Sequence, residues 1–357
     1  ARGGGGKMRF YRSGSWAPGL MAGLLVLVAG CGGEAGGASE GRKAEVVVGQ
    51  AAAAPEPAPP PVPARGPERR MAITFDDLPA GPPNVHSNEV QAELTEGILA
   101  ALAAHEAPAI GFVNEERLEV DGRVDPARVA LLERWLEAGH ELGNHTYSHP
   151  DLHGVLLGEF LDDVVRGEPV TRRLLAARGR ELRFFRHPFL HTGLSLETKR
   201  AVEAFLEERG YRVAPVTIDN SEWIFGGAYA RAYEAGDREE MARLGTAYVD
   251  YMERVAAYYE GQSRAILDRE IPQTLLVHAY LLNAHHFGEL LDRLEARGYR
   301  FVPLEEALAD PAYDSRDIYT GSGGITWLHR WAITRGLDRS VFAGEPEIPE
   351  WLDEPAP

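Results

Sequence analysis

Cysteine is nearly missing from this chain: Cys31 is the single one in 357 residues. One thiol can build neither an intrachain disulfide nor a cysteine-rich zinc site. Positive charge is short as well, with 37 lysines and arginines against 54 acidic residues and a net charge of −17. Four of the basic residues (Arg2, Lys7, Arg9 and Arg12) fall in the first 30, which hold no acid, so the remainder is more acidic still. Nucleic acid and anionic lipid both demand a basic surface, and neither fits as the main partner of such a body. Long apolar runs are lacking too, with one exception that ends on the cysteine: "GLMAGLLVLVAGC". It is too short to cross a bilayer comfortably and follows a basic stretch, which is the layout of a secretory signal.

The last four residues of that run, Val28-Ala29-Gly30-Cys31, resemble a bacterial lipoprotein signal, with Val28 standing where leucine is commoner. The resemblance implies cleavage before Cys31, lipidation of its thiol, and an exported protein anchored in the cell envelope. Met8 reads as the start of this signal, with an upstream extension before it. We therefore assign residues 1–30 to the signal. Residues 31–70, rich in Gly, Ala, Pro and Glu, cannot bury a core and form an extended tether. The lipid anchor would be the only membrane contact.

From residue 71 short β-rich runs alternate with amphipathic stretches. The runs are "MAITF", "AIGFV", "HELGNH", "RFFRH", "YRVAPVTI", "TLLVHAY" and "YRFVPL". Several of the intervening helices close on glycine, a usual helix stop. Such alternation means parallel strands with crossover helices, so the fold class is α/β. Seven units over residues 71–310 suit a distorted (β/α) barrel of about seven strands in one domain. Residues 311–357 form a C-terminal extension packing on the barrel, with Trp327 and Trp331 on a final amphipathic helix and directed into the core.

Barrel enzymes carry their chemistry at the carboxyl ends of the strands. The first run here ends in Asp76-Asp77, two adjacent carboxylates that are either turn formers or a functional pair. The third delivers His145 and His149, four apart, so that a helical turn or a tight loop brings both imidazoles to one side. The fourth gives Arg186, His187 and Phe189; the fifth, Asp219, Glu222 and Trp223; the sixth, His278. Five of the seven runs thus end on ionisable residues. Two imidazoles and a carboxylate suit one divalent metal, zinc first and cobalt among the alternatives.

The segments "TFDD", "HTYSH", "RHPF", "DNSEW" and "LVH", in that order, resemble the five motifs of the polysaccharide deacetylases, the metal-dependent carbohydrate esterases of the nodulation-deacetylase type. The first two are specific, and the other three gain weight from their order. The resemblance spans roughly residues 71–303. It implies a metal held by Asp77, His145 and His149, and an acetylated glycan as substrate. Asp76 would be the general base acting on the metal-bound water, and Arg186 would balance the carboxylate pair. The backbone N–H of Phe189 would meet the oxyanion, and His278, held by Glu222, would be the general acid. Trp223 and Phe189 would wall the sugar groove, and Leu276 the acetyl pocket. The chain departs from the pattern at Glu222, where aspartate is commoner, and at His187 and Phe189. His153, His191, His285 and His286 receive no role. The rival readings are a hydrolase of small non-carbohydrate amides and a catalytically inactive glycan-binding lipoprotein. Retention of Asp76 and His278 speaks against the latter.

Overall fold

The computed structural model describes residues 69–82 and 87–353; the signal, Cys31 and the tether up to residue 68 lie outside them. Seven strands build the main sheet: β1 (Arg69–Leu78), β2 (Ala109–Val113), β3 (Glu141–Asn144), β4 (Phe184–Phe185), β5 (Arg212–Val213), β6 (Gln273–His278) and β7 (Tyr299–Phe301). Their order is β5-β4-β3-β2-β1-β6, every pairing is parallel, and β7 pairs the first residues of β1. β1 begins at Arg69, two residues inside the stretch assigned to the tether, because Arg69 pairs with Tyr299 and forms an ion pair with Glu270. Met71 to Leu78 are all buried, as a central strand covered on both faces requires.

The expected strand "YRVAPVTI" is cut in two. Pro215 has no N–H to give to a ladder, so regular pairing stops at Val213. The chain resumes at Ile218, which forms a single parallel bridge with Leu275 in β6. There Thr217 N–H donates to Thr274 Oγ1 at 3.0 Å, and Thr274 N–H donates back to Thr217 Oγ1 at 2.7 Å. One bridge and a threonine pair therefore join the two ends of the sheet. The architecture is a distorted (β/α) barrel.

Among the described residues, eight helices up to β7 surround it: α1 (Asn88–Ala104), α2 (Pro126–Glu137), α3 (Leu157–Arg166), α4 (Pro169–Ala176), α5 (Leu196–Glu208), α6 (Glu222–Ala235), α7 (Arg238–Leu267) and α8 (Leu281–Ala296). Local rules place their ends. Asp125 caps α2 by accepting from Ala127 N–H at 2.8 Å, with Pro126 in the first turn, where a missing N–H costs nothing. Val129, Leu132, Trp135 and Leu136 then form its buried stripe, and the Trp135 ring meets Phe75 of β1 edge-on at 5.4 Å. α6 and α7 occupy the long helical region between β5 and β6. Past β7 come α9 (Leu304–Ala307) and α10 (Trp327–Thr334). Trp327 and Trp331 are buried in the core, so these rings are not available to a sugar, and the Trp327 backbone N–H bonds the Val216 carbonyl at 2.8 Å. Among the described residues no helix is long and apolar enough to cross a membrane.

Candidate active site

Strand alternation turns Thr74 and Asp76 to one face of β1 and would turn Asp77 to the other. The backbone breaks that alternation. Asp77 takes a left-handed conformation, φ 72°, and the β1–β2 register shifts between Phe75 and Leu78. Aspartate tolerates this conformation better than most side chains. Both carboxylates consequently reach the same mouth of the barrel.

Asp76 is buried and gripped by Arg186, whose Nη1 lies 3.1 and 3.2 Å from its two oxygens. Arg186 has no exposed surface and spends its other donors on the Ala214 carbonyl and Thr74 Oγ1, each at 2.9 Å. Burial lifts the Asp76 pKa to about 6 even against the Arg186 charge.

The loop after β3 carries His145 and His149. It is tight rather than helical, with Thr146 and His149 at φ 70° and 59°. Gly167, between α3 and α4, packs beneath it so closely that a Cβ would stand 2.5 Å from the Thr146 carbonyl carbon. Both histidine Nε2 atoms lie 3.7 Å from Asp77 Oδ1. His145 Nδ1 is 2.9 Å from the Arg186 carbonyl, which can only accept, so Nδ1 bears the proton and the Nε2 lone pair is free. Asp77 Oδ1 is buried without a hydrogen-bond partner; Arg117 Nη2 approaches to 3.2 Å, close enough for an ion pair but not aligned for a hydrogen bond. Burial keeps both imidazoles neutral. Burial also disfavours charge on Asp77, but the charges of Arg117 and His278 prevail and hold its carboxylate ionised, below the usual range. An orphaned carboxylate oxygen and two neutral imidazoles within 4.8 Å of one another fit a divalent metal.

His278 ends β6 directly beside Asp76. Glu222, the first residue of α6 and fully buried, accepts from its Nδ1 at 2.8 Å and from its backbone N–H at 3.2 Å. The glutamate's extra methylene does not prevent the contact. Asn283 donates to both Glu222 and the His278 carbonyl, and Tyr248 on α7 donates to Asn283 at 2.6 Å. Burial opposes charge on His278, but Glu222 outweighs it and raises the pKa to about 9.

Of the remaining assigned residues, Phe189 is 53% exposed with its ring 4.5 Å from His149, Trp223 is 59% exposed, and Leu276 is buried in β6. His187 points away, into the rings of Phe160 and Phe185. His285 and His286 bond Tyr229 on the outer helices. Sequence reasoning missed Arg117, which pairs with Asp77 and donates to the Asp77 and Ala80 carbonyls at 3.2 and 3.1 Å. It also missed Asn283. Nothing in "NEERLEV" or "LLNAHH" signals either role.

Residues 64–213 match the family model described as polysaccharide deacetylase. The peptidoglycan-N-acetylglucosamine deacetylase of Bacillus cereus is 28% identical over 153 residues, 43% of this chain and 46% of that protein. The chain thus spans about half the length of that relative. The chitin deacetylase of Colletotrichum lindemuthianum is 23% identical over 243 residues, 67% of this chain and 79% of that one. Its solved structure aligns with a TM-score of 0.44 at 22% identity, covering 68% of this chain and 88% of that chain. The family match ends before α6 and β6, the elements that bear Glu222 and His278.

Proposed function

We propose that this protein is a metal-dependent hydrolase that removes acetyl groups from an N- or O-acetylated glycan, exported and lipid-anchored through Cys31. One observation carries the reading. The Asp77–His145–His149 triad, the Asp76–Arg186 pair and the Glu222–His278 pair converge on one strand-end mouth. Asp77, His145 and His149 would hold a divalent cation, zinc being the natural occupant of such a donor set. When bound, it acidifies water and polarises the acetyl carbonyl.

The chain's own residues do the rest. Asp76, oriented by Arg186, takes a proton from the attacking water as its oxygen bonds to the acetyl carbon. The backbone N–H of Phe189 donates to the carbonyl oxygen as negative charge gathers there. The bond to the sugar nitrogen or oxygen then breaks, and His278 gives that leaving atom its proton. Acetate and the free amine or alcohol depart. The exposed rings of Phe189 and Trp223 suit the apolar face of a sugar, and buried Leu276 suits the acetyl methyl.

Acetate release from acetylated chitin, peptidoglycan and xylan fragments, with and without a chelator, tests the proposal. Chelator-sensitive release from at least one glycan is the expected result. Release only from small non-carbohydrate amides would favour the rival hydrolase, and binding of glycans without release would favour the inactive lipoprotein.

A further inference from the structure

Phe189 and Leu190 both hold left-handed backbone, φ 55° and 54°. Bulky residues adopt it only where their surroundings enforce it. Two sets of contacts do so. The first ties the loops after β3 and β4. His191 Nδ1 lies 2.6 Å from Asp151 Oδ1, its ring stacks on His153 at 3.9 Å, and Gly193 N–H donates to His153 Nε2 at 3.1 Å. Asp151, His153 and His191 stand close enough to share an ion. Two of their polar atoms, however, are already engaged: Asp151 Oδ1 also accepts from the His153 backbone N–H at 2.8 Å, and His153 Nε2 accepts from Gly193. The cluster is a clasp.

The second set comes from beyond the family match. Arg330 on α10 has no exposed surface. It donates to the Leu190 carbonyl, to Thr192 Oγ1 at 2.7 Å and to the Ile325 carbonyl at 2.9 Å. The Trp327 ring lies 4.2 Å from the guanidinium, and Asp317 stands 3.6 Å away. Gly324 abuts the turn so closely that a Cβ would fall 1.9 Å from the Phe189 carbonyl oxygen.

We infer that Arg330 is a positioning residue. With Gly324, it fixes the peptide planes that follow Phe189, so that the Phe189 N–H cannot swing away from the reacting carbonyl. The inference rests on the proposed oxyanion role of that N–H, and it makes the C-terminal extension a working part of the site.

Arg330→Lys keeps the charge but cannot form the three-way fork. Its kcat should fall about 10-fold or more, within reach of the loss of one oxyanion donor, with KM changed less than about twofold. Ester and amide acetyl substrates should suffer alike, metal content should stay at the wild-type level, and amide hydrogen exchange over residues 186–194 should quicken. Gly324→Ala, which displaces the neighbouring Phe189 carbonyl without touching a charge, should behave likewise. A merely structural role would lower thermal stability and leave the kcat of the folded protein intact. Unchanged kcat and unchanged exchange in either folded variant overturn the inference. Should the wild type release no acetate from any substrate, the deacetylase reading falls, and exchange alone decides: faster exchange upholds the positioning, unchanged exchange overturns it.

Discussion

Replacing Glu222 by glutamine removes one charge beside His278 and keeps the shape of the side chain. The pair is close, at 2.8 Å, and Glu222 has no exposed surface, so the interaction is weakly screened. With Glu222 the His278 pKa stands at about 9 against an ordinary 6.5. That difference corresponds to about 3 kcal/mol in favour of the charged imidazole. Without the carboxylate, burial is opposed only by the weaker pull of Asp77 and Asp76, so the pKa falls back from about 9. At pH 8 about nine-tenths of the wild-type imidazole is protonated, and in Glu222→Gln the share falls towards the one-thirtieth or so of an ordinary imidazole. Turnover of an amide substrate at pH 8 should therefore fall, by up to about 30-fold, with much less loss near pH 6. The alkaline limb of the kcat/KM profile should move from about 9 towards lower pH. Stability follows the same sign. A raised folded-state pKa contributes fully below about 6.5 and fades as the pH climbs through about 9, so the variant should lose most stability at acid and neutral pH. A folded Glu222→Gln protein that keeps the wild-type alkaline limb would refute the reasoning.

Other substitutions separate the remaining roles. Asp76→Asn should bind metal normally and lose about 10² to 10⁴ in kcat, the usual worth of a general base; near-normal turnover with normal metal content would remove Asp76 from the chemistry. Asp77→Asn should weaken metal binding, and excess zinc should restore part of its activity; no response to zinc would count against a ligand role. His278→Ala should lose more turnover on acetamides than on acetate esters, because an amine leaves poorly without a proton; equal losses on both would speak against a general acid. Cys31→Ser should release the protein from membranes or block its maturation, and failure of labelled fatty acid to attach to the wild type would dismiss the anchor.

The sequence carried the strand ends well because each joins a strong local signal to an unusual polar residue. An apolar β-rich run that stops on Asp76-Asp77, or on His145 with His149 close behind, is visible without any tertiary information. What stayed hidden depends on contacts between distant segments. Arg117 reaches Asp77 only because the turn at Glu115–Leu118 is pinned to α4, where Glu115 accepts from Val170 and Thr171 N–H at 3.0 and 2.8 Å. The split at Pro215 is foreseeable from proline's missing donor, but the closing bridge from Ile218 to Leu275 is not. Nor does helical periodicity announce that Arg330, on a short helix 140 residues further along the chain, reaches the Leu190 carbonyl.

Metal analysis of the wild type against His145→Ala, after loading with zinc and removal of the excess, tests the central claim most directly. One zinc per wild-type chain and almost none in the variant is the predicted result. Equal, near-zero content in both under metal-replete conditions would contradict it.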